Sequence, residues 1–345
     1  MKTLSTLVAG VLSASLPNSA PLAQSLSGTI VSANMTANTA SVVDVATGEL
    51  RATYRTGPGP HEVAISHDGR WAVVSVYGDR SSIGHSLLVL DLEGQASPRT
   101  IEMGELKRPH GMRFLPGDQK LVVTSEATQK ISIVNFARGT IDTTIATNQP
   151  ATHMVVIDAS GKRGFTTNIT AKSVSVLDFV KDTLVRTIDV GQRIEGIAIN
   201  PDASEVWLGA NDGKIVLVYN PNTGEKVASI DGFGMAYRMS VTPDGKYAVV
   251  SDPGAERVMI VDAKSHMILH TLEMANLPGT TGDEGPHPSP QGVTLSRDGK
   301  IAFVTLKALG AVAVIDVAGG KVLKTLKVGG GSDGVGFSQL SAAKK

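Results

Sequence analysis

Three of the eight histidines stand at one place in a recurring phrase. His61 lies in Pro60-His61-Glu62-Val63, His110 in Pro109-His110-Gly111-Met112 and His153 in Thr152-His153-Met154-Val155. Four further copies put Glu195, Arg238, Gln291 and Asp333 at that place. If the seven converge, several chemistries are open. Neutral imidazoles favour zinc, copper, nickel or iron. Three of them, with Glu195 or a water in fourth position, suit a catalytic or delivery metal, with zinc or copper expected. One imidazole alone would suit a haem iron. Arg238 with polar neighbours would instead hold an organic anion. A further arrangement takes no ligand: a hydrated ring of polar side chains in which Glu195 pairs with Arg238 and is withdrawn from any metal.

Convergence requires an architecture that repeats. The phrase opens a longer unit: an apolar run, an Asp-Gly-like turn, a second apolar run, then an apolar-Asp step and a Thr-Gly-like turn. The Asp-Gly-like turns include His67-Asp68-Gly69, Pro116-Gly117-Asp118, Pro243-Asp244-Gly245 and Arg297-Asp298-Gly299. The apolar-Asp steps are Val43-Asp44, Leu90-Asp91, Val134-Asn135, Leu177-Asp178, Tyr219-Asn220, Val261-Asp262 and Ile315-Asp316. Their period is roughly 42 residues with two longer members, the spacing of a four-stranded propeller blade. Each unit reads as four short Val- and Ile-rich strands separated by turn residues, and no long segment carries helical periodicity. Seven apolar-Asp steps but six preceding turns leave one inner strand missing, and Gly331-Ser332-Asp333-Gly334-Val335-Gly336-Phe337 has its form. The expected fold is all-β: a seven-bladed β-propeller of four-stranded blades whose first blade is closed by the C-terminal strand, which leaves no open sheet edge between the ends of the array.

Phrases such as Val293-Thr294-Leu295-Ser296-Arg297-Asp298-Gly299-Lys300-Ile301-Ala302-Phe303-Val304 and Val312-Ala313-Val314-Ile315-Asp316-Val317 resemble the YVTN-type propeller repeat over nearly all of the chain. The resemblance implies a fold shared by surface-layer and periplasmic binding proteins, lactonase-like enzymes and the haem-carrying propeller of cytochrome-type nitrite reductases. It does not choose among their activities.

Alternating hairpins give such a ring two faces. The Asp-Gly turns lie on one. The phrase positions lie on the other, the funnel face, together with the loops joining second to third strands. Both expanded loops map there: residues 78–85, with His85, and residues 277–290, with Asp283, Glu284 and His287, expected to act on a funnel ligand or to fold over it. His67 falls on the opposite face. His266 and His270 fall in a turn and a strand, where their spacing makes no metal site. Gly329-Gly330-Gly331-Ser332-Asp333-Gly334 has the letters of a dinucleotide motif without its strand–turn–helix context. No Gly-x-Ser-x-Gly elbow or Walker loop is present.

Composition narrows the function. Lys plus Arg number 32, as do Asp plus Glu, so no nucleic-acid or polybasic-membrane surface is expected. Cysteine is absent, which excludes disulfides, thiolate metal sites and a Cys nucleophile. Lys2, the apolar stretch from Leu4 to Leu12 and the small residues around Gln24 read as a signal peptide over residues 1–25. A single propeller domain over 26–340 and a disordered tail over 341–345 follow. The expectation is an exported, periplasmic or secreted monomer with no transmembrane segment, binding a small-molecule or metal ligand at the axial funnel face, in an accessory role with a periplasmic protein partner. A metal-assisted lactonase-like hydrolase or lyase and a protein-interaction scaffold are the alternatives.

Overall fold

The computed structural model describes residues 26–277 and 287–344. Seven four-stranded antiparallel sheets form a ring, and each sheet is one blade. The inner strands of blades 2 to 7 are Pro60–Ile65, Pro109–Phe114, Thr152–Ile157, Ile194–Ile199, Met239–Val241 and Pro290–Leu295. In blade 1 the inner strand is the last of the chain, Ser332–Ser338, paired with Thr29–Asn34. The C-terminal closure read from the repeat is thus observed. Signal-peptide residues 1–25 and the loop residues Asp283 and Glu284 lie outside the described residues. The segment from 341, expected to trail away, is held from both sides as far as it is described. Ala342 N–H donates to Thr29 Oγ1 at 2.8 Å, and Ala343 N–H to the Leu92 carbonyl at 2.9 Å.

Burial explains why the unit reads as it does. Second and third strands such as Arg163–Asn168 and Ser173–Asp178 are buried almost throughout, because each blade is covered on both faces. Outer strands alternate, as in Thr183–Asp189, because their far edge meets solvent. The apolar clusters sit between neighbouring blades: Phe165 and Val176 of blade 4 meet Ile197 and Leu208 of blade 5, and Phe303 and Val314 of blade 7 meet Ile30 and Val335 of blade 1. Trp207 is fully buried in the next such cluster, a packing role. The repeated Asp of the apolar-Asp step ties the following turn: Asp44 Oδ1 accepts from the Thr47 N–H at 2.9 Å and Asp316 Oδ1 from the Gly319 N–H at 3.0 Å.

Two devices set the funnel face. In six blades the pairing register of the inner strand shifts just after its start, between Pro60 and Val63 in blade 2, between Ile194 and Ile197 in blade 5 and between Ser332 and Val335 in blade 1. Such a bulge lets two consecutive residues, such as His61 and Glu62, serve the axis. Where the second is Gly111, Gly196, Gly292 or Gly334, a Cβ would run into the backbone of the next blade; at Gly111 it would lie 2.8 Å from the His153 carbonyl oxygen. The other device is a hydroxyl latch. Thr305 Oγ1 accepts from the Gly292 N–H at 2.8 Å within its blade and donates to the Asp333 carbonyl of the next blade at 2.7 Å. Ser251 does the same between Arg238 N–H, 3.1 Å, and the Gln291 carbonyl, 2.6 Å. Thr167 serves Met154 and Glu195 at 3.1 Å each. The latches fix the backbone of the very residues that open the inner strands.

Candidate functional site on the funnel face

The structure brings most of the phrase positions to one axial mouth. The His61 and His110 ring centroids are 5.2 Å apart, and those of His110 and His153 3.7 Å apart and tilted by 36°. His153 is held at both nitrogens: Nδ1 lies 2.9 Å from Glu126 Oε2 and Nε2 3.0 Å from Glu195 Oε1. Each carboxylate oxygen accepts, so both nitrogens carry hydrogen and the ring is an imidazolium. Burial works against that charge, but the Glu195 charge and the bonds to Glu126 and Glu195 outweigh it, and the His153 pKa is raised. The converse holds for Glu195. Burial would raise its pKa, yet the charge and hydrogen bond of His153, then Arg238 and Asn211, hold it far below the ordinary carboxylate range. Asn211 Nδ2 donates to Glu195 Oε2 at 2.9 Å, and Tyr77 O–H donates to Glu126 Oε1 at 3.0 Å.

Arg238 closes the network. Its Nη2 donates to Glu62 Oε1 at 2.8 Å, and its Nη1 lies 3.7 Å from Glu195 Oε1. Glu62 belongs to blade 2 and Arg238 leads into blade 6, so the pair crosses the axis and bars the bore. The ion pair of Glu195 with Arg238 expected from the sequence is therefore present but loose, and the tighter carboxylate is Glu62. His110 is buried beside this network. Its Nδ1 makes no hydrogen bond among the described residues, with Glu62 Oε1 3.9 Å away. Burial, then the positive charges of His153, Arg238 and His61, push its pKa well below the ordinary value, so it is neutral.

His61 is the most open of the three. Its Nδ1 lies 2.9 Å from the Gly59 carbonyl, which can only accept, so Nδ1 carries the hydrogen and Nε2 is left facing Asp333 Oδ2 at 4.0 Å. Lys307 Nζ lies 3.8 Å from the same oxygen. Gln291 donates from Nε2 to Ser289 Oγ at 3.0 Å, on its own blade. His61 stacks at 4.3 Å on Tyr77, and the Arg108 guanidinium lies 4.6 Å above the other ring's centroid, that of Tyr77. Together with Met35, Asn38 and Arg80 they line a pocket of about 460 Å³, walled on one side by the expanded 78–85 loop. Arg80 and Arg108 form no ion pair among the described residues; the Arg108 guanidinium lies over Tyr77 and reaches the Asp79 carbonyl at 3.4 Å.

The loop histidines behave differently. His85 Nδ1 pairs with Glu102 Oε2 at 3.2 Å on the outer strand of its blade, and exposed His287 pairs with Glu256. His67 pairs through Nδ1 with Asp118 at 2.6 Å on the opposite face, joining blades 2 and 3. His266 lies between Glu205, 3.3 Å away, and the Trp207 ring. Among the described residues, no group of three or more His, Asp and Glu is placed to hold a metal ion. As placed, His153 has no lone pair to offer, and Arg238 and Lys307 bring positive charge to the same mouth. Ligation by His61, His110 and His153 together would require His153 to release both carboxylates.

Glu62, Tyr77, Glu126 and Asn211 are missed by reading one position per repeat. Two signals mark them. The inner-strand bulge brings forward the residue after the phrase position, which finds Glu62. The second-strand ends on the same face find the other three.

No protein-family model matches the chain, and no curated protein matches it, so the YVTN-type family is not confirmed. Solved structures are similar in fold. A chain of Kuenenia stuttgartiensis hydrazine synthase superposes with a TM-score of 0.70 over 88% of this chain and 99% of its own, at 19% identity. That is a likeness of architecture, and it reaches no residue role.

Proposed function

We propose that the protein is an exported β-propeller binding protein whose ligand, a small organic anion with a flat ring, lies at the funnel face between blades 1 and 2. One observation carries the reading: Arg80 and Arg108, with no carboxylate within ion-pair distance although Asp79 also lines the pocket, border a space of about 460 Å³ floored by the His61 and Tyr77 rings. A guanidinium pair recognises a carboxylate by paired N–H donors, and the ring faces take the aromatic body. The interlocked network of His153, Glu126, Glu195, Arg238 and Glu62 is the rigid wall behind the pocket, because each of these charged groups already has its partner.

Benzoate titration by calorimetry tests this. Saturable binding that weakens at least tenfold in Arg108→Gln and in His61→Ala is expected. Absence of binding in the wild type, or binding indifferent to both substitutions, overturns it. So does stoichiometric zinc or copper uptake that is lost in His61→Ala, His110→Ala and His153→Ala.

A further inference from the structure

The bore behind the Arg238–Glu62 bar opens on the other face as a cavity of about 430 Å³. Its mouth is set by the Asp-Gly turns, at Pro243 and Arg297, and its floor by Glu62, Arg113 and Arg238. The walls between are inner-strand side chains such as Met154, Val241 and Val293. Two guanidiniums thus face a channel lined by polar and apolar groups in similar measure, with one carboxylate, Glu62, in its lining, and that carboxylate is already taken. Glu62 Oε1 receives Arg238 Nη2 at 2.8 Å. The other nitrogen, Arg238 Nη1, makes no hydrogen bond among the described residues but lies 3.7 Å from Glu195 Oε1, so Arg113 is the guanidinium left without an ion pair. Arg113 donates from Nη1 to the Met112 carbonyl at 2.8 Å and forms no ion pair among the described residues. Burial pulls its pKa down, Glu62 partly restores it, and the Arg238 charge lowers it further. Arg113 is half-buried and has no carboxylate within ion-pair distance among the described residues, so an anion in the channel would supply its counterion.

We propose that this cavity is a second binding site, for a small organic carboxylate whose head group lies against Arg113 and Arg238 and whose hydrocarbon tail lies along the inner strands towards Arg297. A carboxylate matches the guanidinium fork, and the apolar part of the lining, Met154, Val241 and Val293, takes the chain that a bare inorganic anion lacks. This site and the funnel pocket are on opposite sides of the Arg238–Glu62 bar, so either stands without the other.

Hexanoate is the probe, titrated by calorimetry into the full-length protein, with acetate and inorganic phosphate alongside. Hexanoate is expected to bind more tightly than either. Arg113→Met weakens it at least tenfold, Arg297→Gln weakens it several-fold, and Arg108→Gln at the funnel face leaves it unchanged. Arg113→Met should melt no earlier than the wild type, because it removes a cation that has no ion-pair partner; if it does not fold, Arg297→Gln decides. The proposal is overturned if hexanoate shows no saturable binding up to about 10 mM. It is equally overturned if binding survives both channel substitutions, or if benzoate displaces hexanoate and Arg108→Gln abolishes its binding, which places the acid in the funnel pocket.

Discussion

Replacing His153 by Phe keeps a ring stacked on His110 and removes both contacts to carboxylates, the 2.9 Å bond to Glu126 and the 3.0 Å bond to Glu195. Glu126 keeps Tyr77, and Glu195 keeps Asn211 and a distant Arg238, so two buried carboxylates are left under-compensated. Breaking a buried pair in this way costs about 3–5 kcal/mol. With an unfolding entropy of about 2.1 cal/mol/K per residue over the roughly 310 described residues, 4 kcal/mol corresponds to a fall in Tm of about 6 °C. The pH dependence fixes the cause. Folding raises the His153 pKa, so its contribution is complete below its unfolded value of 6.5 and is lost as pH rises through the folded value. Folding lowers Glu126 and Glu195, so theirs is complete above 4.5 and is lost as pH falls through the folded values. The difference between wild type and variant is therefore greatest between about pH 4.5 and 6.5 and shrinks as pH rises above that window. His110, neutral in the folded protein, opposes folding below its ordinary pKa in both proteins, but less in the variant, which lacks the His153 charge that helps lower it. Thermal melts by calorimetry at several pH values measure this. A Tm change under about 1 °C at pH 5.5, or a difference that grows with pH, refutes the assignment of His153 as a paired imidazolium.

Other outcomes follow from the ring. Gly196→Ala drives a methyl group into the Tyr237 carbonyl of the next blade and should cost about 1–3 kcal/mol or more, read as a lower urea midpoint with an unchanged m value. Thr305→Val leaves the Gly292 N–H and Asp333 carbonyl without their shared hydroxyl and should cost about 1–3 kcal/mol, whereas Thr128→Val, which loses a single 3.4 Å bond at the end of the short 3-10 turn Glu126–Thr128, should cost a few tenths at most. Deleting residues from Gly331 onward removes the inner strand of blade 1 and its contacts with blades 2 and 7, so the melting transition of the whole ring, not a local one, should be lost.

How much of this was written in the sequence differs by level. The blades were legible because each strand of the repeat has its own burial pattern, and because Asp44, Asp91, Asp262 and Asp316 recur where a turn needs a side-chain acceptor. Closure by Ser332–Ser338 was legible because Asp333-Gly334 repeats the pattern of Gln291-Gly292. The axial gathering of His61, His110 and His153 was legible as position but not as chemistry. Whether a histidine is cationic, neutral or open depends on which carboxylate reaches it, and Glu126 and Glu62 come from other blades. The crossing of Arg238 to Glu62 is a consequence of the diameter of the bore, which no local spacing states. His85 and His287 share the right face, yet outer-strand Glu102 and blade-6 Glu256 hold them, because a long loop places its side chains by whatever ion pair lies within reach.

The most direct measurement is a ¹⁵N-histidine NMR titration with benzoate near about pH 7. The account predicts that the His61 ring nitrogens shift saturably, while His153 stays protonated at both nitrogens and His110 stays neutral. His61 resonances that ignore benzoate, or one zinc equivalent that shifts His61, His110 and His153 together, would contradict it.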